Sequence, residues 1–503
     1  MPRDPATPHP RCVVVGAGLG GLAAAVRARS LGFDVTLVDR LPEPGGRARV
    51  LREGGFAWDA GPTVITAPGM IEELFALLGE RMADHVEMLP VRPWYRIRFA
   101  DGRSFDHGGT EAEARASVAA FSPSDLAGYD KLMAHARRLF ETGFERYGAA
   151  PFHDPRAMLR ALPALLRLGG HRTVSGLVRS YIKDDALARA LSLQPLLVGG
   201  HPYATPALYA LILHLERRWG VWFPRGGTGA LVAALAGLLR RHGVAWVPGQ
   251  HVERILVEGG RAVGVRLADG RSLPAEVVVA NADAPEVHAA LLPPGAPGRA
   301  APARVDRMRY SFGLYVLCFG TDRPYPEVAH HTIVLGRRWR ALLDEVFGRG
   351  AALPEDPSLY LHRPAATDPG MAPPGRDAFY ALVPVPNLRA GLDWESAAPR
   401  LRAAVLEMLE RRELPGLSRH LAAERSLTPL DFRQDYASRH GAGFSVAPTL
   451  LQSAWFRFHN RARLPGLYLV GAGTHPGAGV PGVLTSAKLV GTLLHEAYAG
   501  ALP

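Results

Sequence analysis

The sequence predicts an α/β protein whose parallel sheet is completed by segments from both ends of the chain. Three observations support this fold class. An apolar run near the N-terminus leads into a glycine-rich turn and a helix, and the same order recurs near the C-terminus. Between them, residues 34–39 form an apolar strand pattern that ends in an acid. Strands that alternate with helices in this way build a parallel sheet covered by helices.

Composition and charge narrow the class of protein. The 503 residues are 48% hydrophobic and 21% charged, which is typical of a folded chain with two or three domains. The net charge of +11 comes mostly from scattered arginines, so no nucleic-acid partner is expected. A diffuse attraction to anionic lipid headgroups fits this charge better. The two cysteines, Cys12 and Cys318, exclude a disulfide scaffold and fit a reducing compartment.

The first strand, turn and helix carry a nucleotide-binding pattern. Residues 12–15 are a short apolar run, and Gly16, Gly18 and Gly21 follow it. These glycines let the backbone turn tightly and approach a pyrophosphate, whose charge the next helix N-terminus stabilises. Asp39 ends the second strand, where it would accept a hydrogen bond from a ribose 2′-hydroxyl and repel a 2′-phosphate. The pattern predicts a Rossmann-like site for an unphosphorylated adenine dinucleotide.

Two further motifs favour FAD over a nicotinamide cofactor. Pro44-Gly-Gly-Arg47 follows Asp39 closely, and the Arg47 guanidinium suits a second phosphate contact. Near the C-terminus, Gly471-Ala-Gly473 opens a turn that continues to Val483 and a helix. The N-terminus of that helix would stabilise the negative charge that a flavin ring gains on reduction.

The remaining elements follow in order along the chain. We expect a hairpin at about 47–58, a helix at about 70–79, a hairpin turning at 101–102, a helical region over 113–218, a helix ending near 241, a β-meander over 244–279, alternating strands and helices over 290–460, a strand at 467–470 and a helix at 483–498. These elements predict a discontinuous FAD-binding domain (11–115, 225–290 and 461–503), a helical, membrane-facing substrate region (116–224) and a substrate domain with a mixed β-sheet (291–460).

Several longer motifs resemble those of one enzyme family. They are Asp59-Ala-Gly-Pro-Thr-Val-Ile-Thr66, Leu196-Leu-Val-Gly-Gly-His201, Trp219-Gly-Val-Trp-Phe-Pro-Arg-Gly-Gly-Thr-Gly-Ala-Leu231, Ala329-His-His-Thr332, Thr428-Pro-Leu-Asp-Phe-Arg433, Ser453-Ala-Trp-Phe-Arg457 and the segment 471–483. The sequence resembles the bacterial phytoene desaturases, which are FAD-dependent carotenoid desaturases of the amine-oxidase-like flavoprotein superfamily. The resemblance extends over nearly the whole chain, from about residue 11 to 497.

The resemblance implies a cofactor site, a reaction and a location. The implied flavin contacts or neighbours are Gly16, Gly18, Gly21, Asp39, Arg47, Gly61, Thr63, Val252 (through its backbone, to adenine), Asp283, Gly471, Gly473, Val480 and Gly482. The implied reaction is stepwise desaturation of 15-cis-phytoene, an apolar C40 polyene, toward lycopene or neurosporene, with a quinone or oxygen as electron acceptor. The implied location is cytoplasmic, peripherally attached to the cytoplasmic membrane.

The segment that carries the catalytic candidates departs from the family pattern at one point. The family segment Pro-Phe-x-x-x-Arg-Asp-Met-Leu-Arg has Ala157 where the family carries an acid. Asp154 is therefore the local candidate for proton acceptance, although Asp-Pro at a helix start also fits a helix cap. Arginine stays protonated, so Arg160 is assigned to positioning a carboxylate or the flavin.

Three alternative functions remain open from the sequence. The substrate could be another carotenoid, such as hydroxyneurosporene or a C30 chain. A flavin amine oxidase would need a lysine near the flavin, and the chain has only three lysines. A prenyl-lipid binding protein of the same fold would lack redox chemistry. The histidines at 330, 331 and 475 lack metal-ligand spacing, so no metal site is predicted.

Overall fold

The structure is a computed structural model that describes residues 9–148, 155–348 and 352–499. Its strands are β1 Arg11–Val15, β2 Asp34–Val38, β3 Val50–Glu53, β4 Phe56–Asp59, β5 Met88–Pro90, β6 Tyr95–Arg98, β7 Ser104–His107, β8 Trp222–Pro224, β9 Ala245–Val247, β10 Val252–Glu258, β11 Arg261–Leu267, β12 Ser272–Pro274, β13 Val277–Ala280, β14 Gly313–Thr321, β15 His331–Val334, β16 Leu359–His362, β17 Asp377–Val385, β18 Leu421–Leu427 and β19 Leu467–Leu469.

Its α-helices are distributed along the whole described part of the chain. They are α1 Leu19–Ser30, α2 Pro68–Ala76, α3 Glu111–Phe121, α4 Leu126–Phe140, α5 Pro155–Arg167, α6 Val174–Arg179, α7 Asp185–Ala190, α8 Leu211–Trp219, α9 Gly227–Arg241, α10 Ala284–Glu286, α11 Pro302–Asp306, α12 Trp339–Phe347, α13 Trp394–Arg412, α14 Leu417–His420, α15 Pro429–Tyr436 and α16 Val480–Tyr498.

A five-stranded parallel sheet combines the first and the last of the described strands. Its strand order is β19-β13-β1-β2-β9, and every pairing within it is parallel. The strands predicted at 12–15 and 467–470 therefore lie in one sheet, as a discontinuous domain requires. The meander predicted over 244–279 is smaller than expected: β10, β11 and β12 form it, whereas β9 and β13 join the parallel sheet. An all-apolar run such as 277–280 suits a strand covered on both faces.

The two faces of this sheet pack against different elements. Cys12 and Val14 of β1 face a core shared with α1, α9 and α16. Val13 and Val15 face the opposite way, against the small antiparallel sheet of β10 to β12. Because both faces are covered, the strand ends are the exposed edge at which a ligand can approach the sheet.

The second large sheet is mixed and has seven strands, in the order β18-β14-β17-β16-β15-β6-β7. Its last two strands come from residues 95–107, within the range 11–115 predicted for the FAD-binding domain. Ile97 of β6 pairs in parallel with Ile333 of β15. The chain therefore leaves the first sheet well before residue 115, and the domain boundary differs from the predicted one. Hydrogen bonding to a strand more than 200 residues away is not visible in a local pattern.

Residues 111–219 are mostly helical, as the sequence predicts, and contain α3 to α8. Helix α5 exposes large leucines to solvent: Leu159 is 67% exposed and Leu166 is 49% exposed. Among the described residues, no helix combines the length and the hydropathy needed to cross a membrane.

Candidate functional site

One cavity of about 1030 Å³ joins the two sheets. On one side it reaches the carboxyl ends of the parallel strands, where Gly16, Asp39, Asn281 and Gly471 follow β1, β2, β13 and β19. On the other side it runs along the seven-stranded sheet and helices α8 and α12. Ligands of open α/β sheets bind at the carboxyl ends of the strands, so this cavity is the candidate site.

The turn after β1 requires glycine for steric reasons. Gly16 has φ of +95°, a region that favours glycine. A Cβ on Gly21 would lie 1.8 Å from the carbonyl oxygen of Gly16, so the turn could not close around a larger residue. Helix α1 begins after Gly18 without a side-chain cap, which leaves its first backbone N–H groups available for an anion.

The backbone fixes the orientation of the Asp39 carboxylate. Asp39 Oδ2 accepts a hydrogen bond from the backbone N–H of Ala17 at 2.6 Å, and Oδ1 accepts one from Leu41 at 2.8 Å. Burial raises the pKa of Asp39, while these two backbone donors act in the opposite direction. The carboxylate lines the cavity and keeps lone pairs for a ribose hydroxyl.

Arg47 also lines the cavity, on a loop that contacts the first turn. The backbone N–H of Gly45 donates to Ala17 at 2.8 Å, which joins this loop to the first turn. A Cβ on Gly61 would lie 2.1 Å from the Arg47 carbonyl oxygen. The Arg47 guanidinium donates to Ser438 Oγ at 3.1 Å, but its buried Nε has no hydrogen-bond partner among the described residues. A buried cation with a free donor fits a phosphate oxygen.

Asp283 follows β13 and is tied to the loop after α15. Its Oδ2 accepts a hydrogen bond from the backbone N–H of Arg439 at 3.0 Å, and its Oδ1 accepts one from the Ser445 hydroxyl. Asn281, two residues earlier, donates from Nδ2 to the Gly16 carbonyl at 3.3 Å. Sequence reasoning missed Asn281, although its place directly after a buried strand was a usable signal.

A buried arginine holds the C-terminal turn through hydrogen bonds to its backbone. Arg457 donates to the carbonyl oxygens of Thr474 at 2.9 Å and Ala472 at 2.5 Å. A Cβ on Gly482 would lie 2.5 Å from the Gly477 carbonyl, so α16 can begin close to the turn only with glycine there. Helix α16 also lacks a side-chain cap at its N-terminus, which faces the cavity through Val480.

The rest of the cavity is mostly apolar. Its wall is formed by side chains of α8, α12 and the large sheet, including Leu211, Ile212, Leu215, Phe312, Leu314, Ile333, Trp339, Leu342 and Leu343. Polar groups on this wall are few. Tyr360 and Thr63 share a hydrogen bond of 2.7 Å between their hydroxyls, and Glu216 lies on α8. Such a wall suits a long hydrocarbon rather than a polar substrate.

The structure brings together nearly all of the predicted cofactor residues. Twelve of the thirteen line the cavity: Gly16, Gly18, Asp39, Arg47, Gly61, Thr63, Val252, Asp283, Gly471, Gly473, Val480 and Gly482. Gly21 lies behind the turn, where its missing side chain lets the turn close. Their individual contacts to FAD stay predictions.

The predicted catalytic residues are placed differently. Asp154 lies outside the described residues. Arg160 is exposed on α5, where its Nε donates to the Arg156 carbonyl of the same helix at 3.2 Å, and it does not belong to the cavity wall. The structure therefore gives no support to a positioning role for Arg160 at the site. Sequence reasoning missed Glu216 because it precedes Arg217 and Arg218, a charged stretch typical of a solvated helix end.

The histidines are closer together than their spacing in the sequence indicates. Strand pairing places His362 opposite His331, and one ring nitrogen from each of His330, His331 and His362 lies within 4.8 Å of the others. The Nε2 atoms of His330 and His362 share a hydrogen bond of 3.1 Å. Burial holds their pKa values far below the ordinary value, to about 3 for His330. The prediction that the chain has no metal site stays untested.

The site fits FAD in three respects: an aspartate oriented for a ribose, a buried arginine with a free donor, and two uncapped helix N-termini at one cavity. Fold and site together define an oxidoreductase of the flavoprotein class. In agreement, residues 19–492 match the family described as flavin containing amine oxidoreductase.

Relatives and solved structures agree with this class. The phytoene desaturase (lycopene-forming) of Pseudescherichia vulneris is 46% identical over 97% of this chain and 99% of its own length. The phytoene desaturase (neurosporene-forming) of Rhodobacter capsulatus is 43% identical over 97% of this chain and 94% of its own length. A putrescine oxidase with redesigned cofactor binding shares the fold, with a TM-score of 0.65 at 14% identity, over 97% of this chain and 99% of that one. The chain belongs to the flavin containing amine oxidoreductase family and, within it, to the phytoene desaturases, so it is an FAD-dependent oxidoreductase.

Proposed function

We propose that this enzyme desaturates 15-cis-phytoene stepwise toward lycopene or neurosporene. One observation carries the proposal. A single cavity is lined at one side by the glycine-rich turns and at the other by apolar side chains of α8, α12 and the seven-stranded sheet. When bound there, FAD supplies the hydride acceptor. The two relatives described above act on phytoene according to their names.

Different residues of this chain would bind the cofactor and the substrate. Asp39 and Arg47 would hold the ribose and a phosphate of the cofactor, through the free lone pairs and the free Nε described above. The apolar wall would bind the polyene and exclude water, which strengthens the electrostatic interactions inside the cavity. We propose that a quinone or oxygen then takes the electrons.

Reconstitution with 15-cis-phytoene tests the function. Purified protein with FAD should convert phytoene in liposomes to products with additional conjugated double bonds, separated by chromatography. Omitting FAD is the control. Anaerobic reactions with and without an added quinone distinguish the two acceptors. A holoenzyme that leaves phytoene unchanged with both acceptors present would contradict the proposal.

We also propose peripheral attachment at the cavity mouth, to the cytoplasmic membrane. Leu165 of α5 and Ser453 and Ala454 of the segment 450–456 line the cavity. The same two segments carry the exposed side chains Leu159, Leu162, Leu166, Leu450, Leu451 and Phe456. Leu451 is 71% exposed, and exposed leucines are costly in water but not in a lipid interface. This surface, which we call the apolar rim, supports substrate entry directly from a bilayer.

A further inference from the structure

Glu216 is the one carboxyl group on the apolar part of the cavity wall among the described residues. It lies on α8, next to Leu215 and one turn after Ile212, which line the same wall. The residue is only 1% exposed to solvent. Burial removes the hydration of this carboxyl group, and the loss costs free energy unless hydrogen bonds or ion pairs replace the water.

The surroundings of Glu216 replace only part of that hydration. Tyr95 donates a hydrogen bond from its hydroxyl to Glu216 Oε1 at 2.6 Å. Oε2 is buried and has no hydrogen-bond partner among the described residues. The nearest cation in sequence, Arg217, donates instead to the Gly109 carbonyl at 2.6 Å and to the Tyr129 hydroxyl at 3.2 Å. Within the described part of the chain, Glu216 therefore has no salt bridge, and its Oε2 has no hydrogen-bond partner.

One ring contact and two hydrogen bonds lead from Tyr95 to Thr63. The Tyr95 ring lies 5.8 Å from the His331 ring. His331 Nδ1 shares a hydrogen bond of 2.6 Å with the Tyr360 hydroxyl, which also bonds Thr63, a predicted flavin neighbour. Contacts therefore run from Glu216 through Tyr95, His331 and Tyr360 to Thr63, and both Glu216 and Thr63 line the cavity.

We propose that Glu216 Oε2 accepts the proton released in each desaturation. The inference rests on the proposed function. After a hydride has left one carbon of the substrate, the C–H bond on the adjacent carbon breaks and its electron pair becomes the second bond of the new C=C. The proton goes to Glu216 Oε2, and the carboxylate becomes a carboxylic acid. Glu216 takes the role that the sequence assigned to Asp154.

The environment of Glu216 suits uptake and release of a proton. Burial raises the pKa of Glu216 to about 7, while the hydrogen bond from Tyr95 and the charge of Arg217 act in the opposite direction. The other titratable groups near Tyr95 are His107, His331 and Tyr360. Burial lowers the pKa values of the two histidines strongly and raises the pKa of Tyr360, so all three are neutral near pH 7. A base with a pKa near the working pH can take up a proton and release it again.

The first test is Glu216→Gln in the FAD holoenzyme with 15-cis-phytoene liposomes. Glutamine keeps the acceptor for Tyr95 but cannot take a proton. We expect turnover to fall by about 10²-fold or more, with FAD affinity and melting temperature unchanged. The control is Glu413→Gln, since Glu413 is buried, has a raised pKa and pairs with Arg98 outside this cavity. This control should keep wild-type turnover.

Two readouts separate proton transfer from a structural role. In infrared difference spectra of the holoenzyme, the carboxyl band that titrates near pH 7 should be lost in Glu216→Gln and kept in Glu413→Gln. Tyr95→Phe removes a hydrogen bond that lowers the pKa of Glu216, so the rise of activity with pH should move to higher pH. The Tyr95→Phe profile decides the question if Glu216→Gln does not fold.

The outcomes are distinct from those for the proposed function. Wild-type turnover in Glu216→Gln, or an unshifted pH profile in Tyr95→Phe, would overturn the assignment while the desaturase function stands. If the wild-type holoenzyme converts no phytoene, the proposed function fails instead, and the infrared band still reports whether Glu216 titrates.

Discussion

At the scale of single residues, the site depends on side chains whose orientation the backbone sets. Asp39 illustrates this, because two backbone N–H groups hold its carboxylate before any ligand binds. Such preorganisation saves the cost of ordering the side chain on binding. It also explains why a local sequence pattern was sufficient to find Asp39: the strand, the turn and the acid are all neighbours in the chain.

Asp39→Ala should weaken FAD binding by about tenfold or more, since a hydrogen bond to a charged group contributes about 1.5–3 kcal/mol. Fluorescence titration of apoprotein with FAD measures the effect. The matched control is Asp34→Ala, an exposed aspartate at the other end of the same strand. Equal FAD affinity in the two variants would remove Asp39 from the site.

His107 gives a pH prediction of defined sign. Burial lowers its pKa to about 3, whereas in the unfolded chain the pKa is about 6.5. Below pH 6.5 the unfolded state therefore binds a proton that the folded state does not, and stability falls by up to about 1.4 kcal/mol per pH unit. In His107→Gln this part of the decline should disappear from denaturant unfolding curves between pH 6.5 and 5. The exposed His495→Gln is the control; a His107→Gln slope equal to wild type would contradict the prediction.

At the scale of elements, the turn between β1 and α1 is determined by close backbone approach. Gly21→Ala should destabilise the protein by about 3 kcal/mol and abolish FAD binding, because the new Cβ would overlap the Gly16 carbonyl. Gly69→Ala, near the start of α2, meets no atom within 4 Å and should be neutral or stabilising by up to about 1 kcal/mol. Thermal unfolding measures the stability of both variants. Similar changes in stability would show that steric crowding is not the reason for glycine at position 21.

The apolar rim makes a prediction for helix α5. Leu159→Glu combined with Leu166→Glu should weaken sedimentation with anionic liposomes by about tenfold or more, because each buried leucine contributes about 1.5–3 kcal/mol. Leu77→Glu changes a leucine of moderate exposure next to α2 and should leave liposome binding intact. Unaltered sedimentation of the α5 variant would place the membrane contact elsewhere.

Elements differ in how far the sequence can predict them. The hairpins, the meander turns and the helix after Gly226 follow from local patterns, and the structure contains them. The partner of β6 does not, since its pairing with β15 is decided by contacts between distant segments. Glu216 shows the same limit at the site: only the packing of α8 reveals that a residue in a charged stretch is buried.

At the scale of the whole molecule, the cofactor should act as a stabilising ligand. The predicted contacts come from several separate stretches of the chain, so FAD would bind only the folded state. At a free concentration of 100 times its Kd, FAD should stabilise the protein by about 2.7 kcal/mol. Thermal unfolding at several FAD concentrations measures this. Riboflavin, which lacks the adenosine diphosphate half, is the control, and equal stabilisation by both would contradict an adenosine site at Asp39.

The strand order of the parallel sheet has a consequence for biosynthesis. Strand β13 lies between β1 and β19, and β19 is made after residue 466. Until then, a nascent chain exposes the unpaired edge of β13, and such edges recruit other strands. Gly471, Gly473 and α16 are made after β19. A chain released before residue 471 would therefore lack part of the predicted flavin site and would expose the β13 edge.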